Sequence, residues 1–122
     1  PPPRLAMANP RVAPYGAAAE SWLREIGAWE RVSRNAVRGE NVAQAFHFVA
    51  SGNAELGLVA LGQLRSLSEV PGAFLVVPAD AHDPIEQQVV VLKDTPAALA
   101  FLHWLTSPDV QDRLRDLGYD SP

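Results

Sequence analysis

Cysteine is absent from the 122 residues. That excludes disulfide scaffolds, Cys-ligated zinc and thiol catalysis, and it assigns no compartment. Basic residues are scarce: 10 Lys and Arg stand against 14 Asp and Glu, for a net charge of −4. A dedicated nucleic-acid binder needs a basic face to displace counterions, so that class is disfavoured. No apolar run approaches the ~18 residues of a membrane span. No basic segment followed by an apolar one opens the chain, so an exported protein would be represented here by a mature form or a piece of one. There is no P-loop and no dinucleotide fingerprint. There is no Gly-x-Ser-x-Gly elbow, and no serine is placed beside a histidine. There is no internal repeat.

What is present describes a folded α/β chain. Apolar residues make up 48% and charged residues 20%, which excludes global disorder. The length suits one small domain or part of a larger one. Pro1, Pro2 and Pro3 suit a linker or a cut end. Residues 4–8 read as a buried strand, closed by Asn9 and Pro10. A helix is expected over about 17–28, with Ala19, Trp22, Leu23 and Ile26 on one face and Gly27 as its stop. Residues 35–38 suggest a second short strand. Gly39, Glu40 and Asn41 lead into a helix with Val42, Ala45, Phe46 and Val49 inward, closed by Gly52. Residues 56–60 are continuously apolar and predict a central parallel strand. Residues 61–67 form a turn or short helix. Residues 73–77 predict another buried strand, and residues 89–92, within 86–92, a further strand, with a polar connector over 79–84 between them. Two helices finish the chain, each opened by a hydroxyl cap and a proline, Thr95 with Pro96 and Ser107 with Pro108. Strands alternating with helices predict a mostly parallel sheet flanked by helices, with right-handed crossovers.

In such sheets ligands bind beyond the carboxyl ends of the strands, where loops meet helix N-termini. Two loops stand out: Ala13-Pro14-Tyr15-Gly16-Ala17, entering the first helix, and Gly39-Glu40-Asn41-Val42, entering the second. Each helix start carries N–H groups without intrahelical partners and a partial positive charge. Together they would cradle an anion, and Gly16 would let the backbone approach it. The plainer reading is ordinary helix caps, since every helix has a start. Asp80, His82 and Asp83 lie too close in sequence to converge on one metal ion, so a solvated connector is expected there. His47 and His103 lie off the apolar faces of their helices and are expected at the surface. Glu40 is a candidate catalytic carboxylate, but a helix-start acid is more simply a dipole partner. Trp22 and Phe46 sit at core spacing. Trp104 lies off the main apolar face.

The order of several blocks adds a resemblance. Ala8-Asn9-Pro10, Ala13-Pro14-Tyr15-Gly16, Gly27-Ala28-Trp29 and Gly39-Glu40-Asn41-Val42-Ala43-Gln44-Ala45 resemble the molybdate-binding proteins of bacterial ABC transporters. So do the run from Gly52 to Ala60, the segment from Pro84 to Lys93, and Gly118-Tyr119. The resemblance covers essentially the whole chain. It implies one lobe of a two-lobe periplasmic-binding-protein fold plus C-terminal return helices. Residues 1–83 would be the second ligand-binding lobe. Residues 84–122 would be the returning crossover strand and two helices that pack on a first lobe, and Pro1 to Pro3 would be a severed hinge. Around Leu99, Leu102 and Trp104 the surface would then be exposed, or covered by another chain.

By the same resemblance Tyr15 and Val42, with their neighbours Gly16 and Asn41, would bind molybdate or tungstate through backbone N–H groups. No protein side chain would ligate the metal, and no cofactor is implied. A tyrosine found in some family members after the second helix is replaced by Ala60, and Tyr15 would compensate. The implied partners are an ABC transporter permease and the first lobe, with no nucleic acid and no direct membrane insertion. The implied location is periplasmic, or extracellular with a membrane tether. The expected role is non-enzymatic. Two alternatives are an oxyanion-sensing effector domain of a transcriptional regulator, and an enzyme using Glu40 or the Asp80 to Asp83 loop.

Overall fold

The computed structural model describes residues 2–70 and 72–120. Strand β1 (Leu5–Ala8) is followed by helix α1 (Pro14–Glu25), a single turn α2 (Trp29–Val32) and strand β2 (Val37–Gly39). Helix α3 (Val42–Ala50), strand β3 (Leu56–Gly57) and the short helix α4 (Leu61–Arg65) come next. A 3-10 turn at Ala79–Ala81 precedes α5 (Pro96–Leu105) and α6 (Pro108–Asp116). The three strands form one parallel sheet in the order β2-β1-β3. The α/β class and the parallel, helix-flanked sheet are as the sequence predicts.

The connection from β1 leads to one side of it, and the connection from β2 leads back to the other. Right-handed crossovers therefore place α1 and α3 on opposite faces of the sheet. Side-chain alternation along β1 agrees. Met7, fully buried, packs with Ala19 and Leu23 of α1, and Leu5, Trp22, Trp29 and Leu58 close round them. The other face of β1 carries only Ala6 and Ala8, both buried, which lets α3 settle close with its own buried Ala45. Gly57, paired with Ala6, lies under α3 so tightly that a β-carbon there would stand 2.4 Å from the Val49 side chain. Large residues thus anchor one helix and small residues admit the other.

The strand starts are tied together as well. The Glu55 carboxylate accepts the Arg4 N–H at 2.8 Å. That bond, and after it the Glu55 backbone N–H, hold this carboxyl below its ordinary range.

Several sequence expectations need correction. The first helix begins at Pro14 rather than near 17 and ends at Glu25, because proline suits the first helical position. Ile26 falls in the cap beyond its end and is 54% exposed. The second strand runs Val37–Gly39 rather than 35–38. Residues 56–60 supply a strand of only two residues, and it lies at the sheet edge; β1 is the central strand. Residues 73–77 and 89–92 are not strands. Leu75 is 96% and Leu92 95% exposed. Apolar continuity expresses a demand for burial, but a strand also needs a neighbour for its N–H and C=O groups. No described residue supplies one there. Thr95 caps α5 as expected, accepting the Ala98 N–H at 3.2 Å. Ser107 does not cap α6; its hydroxyl donates to Trp104 O instead, at 2.7 Å.

Helix α6 docks through its C-terminal end. Arg65 Nη1 donates to Arg115 O at 2.8 Å and to Asp116 O at 2.9 Å, so a cation sits where the helix dipole is negative. Beyond it, Gly118 packs on Gly62; a β-carbon on Gly118 would lie 3.1 Å from Gly62 N. The Arg65→Ala variant is expected to lose about 1 kcal/mol of stability. Amide exchange should accelerate in the last turn of α6 and not in α1.

The apolar surface of α5 stays open. Leu99, Phe101 and Trp104 are about half exposed, and α5 has no buried residue. The expected exposure around Leu99, Leu102 and Trp104 is therefore observed at Leu99 and Trp104, with Leu102 half-buried.

Candidate functional site

Parallel pairing sets the site. Ala8 and Gly39, the last residues of β1 and β2, are register partners. The pairing runs one step further, with the Asn9 N–H donating to Gly39 O at 2.7 Å. The two loops that follow therefore start side by side at the carboxyl edge of the sheet. One enters α1 and the other enters α3, from opposite faces.

The loop into α1 is a tight turn held by Asn9. Its Oδ1 accepts the Arg11 N–H at 3.0 Å, and its carbonyl accepts the N–H groups of Val12 and Ala13. Ala13 is the N-cap, extended, and offers no side-chain acceptor. Gly16 is the contact point between α1 and the strand end. A β-carbon there would lie 2.4 Å from Ala8 O and 2.6 Å from Asn9 C. The Gly16 N–H is already committed, donating to Ala13 O at 3.0 Å. Among the described residues no hydrogen bond uses the Tyr15 N–H.

The loop into α3 is held by its own side chains. Asn41 is the N-cap, and its Oδ1 accepts the Gln44 N–H at 2.9 Å. Gln44 returns the bond, its Oε1 accepting the Glu40 N–H at 2.8 Å. This is a capping-box arrangement displaced by one residue. Between these bonds lie the N–H groups of Asn41, Val42 and Ala43, which no hydrogen bond of the described residues uses. At a helix start such groups fan out along the axis and carry the positive end of the dipole.

The structure thus brings Tyr15, Gly16, Asn41 and Val42 to one edge of one sheet. Gly16 contributes shape, Asn41 contributes a rigid cap, and Tyr15 and Val42 carry open N–H groups. Ala43 was missed by the sequence reading, although the Asn41-x-x-Gln44 spacing signals where the open N–H groups fall. Ala60, expected to stand in place of a tyrosine, is buried at the start of α4.

The Tyr15 phenol is half-buried. Burial first, and then the neighbouring Tyr119, raise it above its ordinary value of 10.0. The raised side is the folded one, so the proton is held longer in the native state. The stability linked to it is complete below pH 10 and is lost as pH rises through the native value. Near-ultraviolet phenolate absorbance in the Tyr119→Phe variant follows Tyr15 by itself. In the Tyr119→Phe variant, Tyr15 should titrate at lower pH than in the parent.

The other candidates do not converge. The His82 Nδ1–H donates to Asp83 O at 2.7 Å, and the Asp83 N–H donates to Ser21 Oγ in α1 at 2.8 Å. The connector over 79–84 is therefore fastened to α1. Among the described residues no three His, Asp or Glu side chains are grouped to hold a metal ion. His47 and His103 are exposed, as expected, and so is Glu40. Among the described residues no helix is long and apolar enough to cross a membrane.

The chain has relatives among known proteins. The molybdate-binding protein ModA of Azotobacter vinelandii is 43% identical over 119 residues, covering 94% of this chain and 47% of the relative. ModA of Rhodobacter capsulatus is 37% identical over 118 residues, covering 94% and 46%. The solved periplasmic molybdate-binding protein of Azotobacter vinelandii superposes with a TM-score of 0.86 at 33% identity, over 98% of this chain and 55% of that one. The chain spans about half the length of the relatives it matches. The bacterial extracellular solute-binding protein family matches residues 2–120, nearly the whole sequence, and the chain belongs to that family.

Proposed function

We propose that this chain is the second lobe of a two-lobe binding protein that clamps molybdate or tungstate and delivers it to an ABC transporter permease. Residues 1–83 form the ligand-binding lobe. Residues 84–122 return toward a first lobe, whose surface covers the apolar face of α5. The working location is the periplasm, or the outer face of a membrane through a tether. The role is binding, with no bond made or broken. The solved relative is named a periplasmic protein and the family an extracellular solute-binding one, which favours solute binding for transport over the effector-domain alternative.

One observation carries the proposal: two helix starts with open N–H groups, set side by side by the pairing of Ala8 with Gly39. Molybdate is a full dianion at neutral pH, so each of its oxygens only accepts hydrogen bonds. A site made of N–H donors suits it and rejects hydrogen phosphate, whose proton would face a donor. No lysine or arginine is required, because the helix ends supply the field. The first lobe supplies the remaining donors and excludes water, which leaves the site little screened by salt.

Calorimetry on a protein carrying both lobes tests this. Molybdate and tungstate are expected to bind at submicromolar concentration, and hydrogen phosphate at least ~100-fold more weakly. The 122-residue chain alone should bind weakly or not at all. Submicromolar binding by this chain alone would contradict the need for two lobes. Equal affinity for phosphate would contradict the donor-only site.

A further inference from the structure

Gln63 lies outside the loops that form the site, yet it reaches into one of them. It belongs to α4, and its side-chain amide is spent wholly on backbone. Its Nε2 donates to Val42 O at 3.2 Å, across 21 residues of sequence. Its Oε1 accepts the Ala60 N–H at 2.9 Å. The first bond fastens the opening turn of α3. The second fixes the start of α4, so the amide cannot turn away from Val42.

The platform is rigid on its other side too. Arg65 grips the end of α6, and Gly62 packs against Gly118 and the Tyr119 ring. A β-carbon on Gly62 would lie 3.6 Å from Tyr119 Cε2. Helix α4 is therefore a strut between the C-terminal segment and the first turn of α3.

We propose that Gln63 is a positioning residue for the oxyanion site, holding the peptide plane between Val42 and Ala43 by hydrogen-bonding its carbonyl. This rests on the reading of the α3 start as half of that site. The physical reason lies in what a helix start lacks. Val42 is the first helical residue, and no preceding turn restrains its N–H side. Its carbonyl is the available handle. Gln63 takes that handle, orients the plane, and polarises the peptide so that the Ala43 N–H becomes a stronger donor. In this arrangement the anion touches the starts of α1 and α3 and not Gln63, which acts through α3.

Two variants in the two-lobe protein separate this role from plain structural support. Gln63→Glu keeps the acceptor for the Ala60 N–H and loses the donor to Val42. Gln63→Met is close in length and neutral, and loses both. Molybdate affinity is expected to fall about tenfold or more in Gln63→Glu, where the added charge contributes, and about three- to tenfold in Gln63→Met. The melting temperature of ligand-free Gln63→Glu should stay near that of the parent, because the α4 cap survives. A residue that was merely structural would move affinity and melting together, or neither. Parental affinity in both variants, with the parent binding molybdate, overturns the role of Gln63 and leaves the proposed function intact. Failure of the parent to bind overturns the proposed function alone. Gln63 is then judged in the ligand-free protein by magnetic-resonance order parameters of the Val42 and Ala43 N–H vectors. A fall in both variants supports the proposal, and unchanged values overturn it.

Discussion

Gly16→Val is expected to cost about 3 kcal/mol of folding stability. The new β-carbon would stand 2.4 Å from Ala8 O, with Asn9 C and Asn9 O at 2.6 and 2.7 Å. All three atoms are backbone at the end of the central strand, so none can swing aside as a flexible side chain would. Helix α1 must lift from the strand end, and the Met7, Ala19 and Leu23 cluster must open with it. A small domain has only ~5–15 kcal/mol in total, so the shift is readily seen in denaturant midpoints. Gly27→Ala is the control. Gly27 has φ of +68° but nothing within 4 Å of a β-carbon, so its cost is backbone strain alone, about 1 kcal/mol. Equal costs at the two glycines would contradict the close approach at Gly16.

The elements that carry the site were legible because their signals are local. Asn41 and the 3.6-residue spacing of Ala45, Phe46 and Val49 each act within one or two turns, whereas Pro14 reads as part of a loop although it opens α1. The open N–H groups followed from helix starts, and the parallel sheet followed from the alternation of strands with helices. What was not legible depends on distant partners. Residues 73–77 and 89–92 have strand-like composition, but composition does not say what lies alongside. The chain spans about half of its relatives, and among the described residues those two segments find no pairing neighbour. The brevity of β3 was not legible either: Leu56 and Gly57 pair with β1, and the ladder ends once the Leu58 N–H has donated to Ala6 O. The bond from Gln63 to Val42 crosses 21 residues and leaves no periodic trace. Arg65, which reaches the end of α6 some 50 residues away, leaves none either.

Val42→Pro carries the second large effect, and it acts on a single atom. Val42 is the first residue of α3, where proline is welcome, because the missing N–H has no intrahelical partner there. The preceding Asn41 is extended, with φ −149° and ψ 173°, which is the conformation a following proline prefers. Helix, cap and sheet are therefore expected to persist. The Asn41 bond to the Gln44 N–H and the Gln63 bond to Val42 O use other atoms. What disappears is one N–H donor at the positive end of a helix. A hydrogen bond to a charged partner contributes ~1.5–3 kcal/mol, which corresponds to roughly a 10- to 150-fold loss of affinity.

That loss is the most direct test of the claim that open backbone N–H groups at the starts of α1 and α3 hold the oxyanion. Molybdate is titrated by calorimetry into the two-lobe protein and into its Val42→Pro variant, with melting curves of both ligand-free proteins alongside. Binding weaker by roughly tenfold or more is expected, with a melting temperature near the parent's. Undiminished affinity in a folded Val42→Pro protein would contradict it.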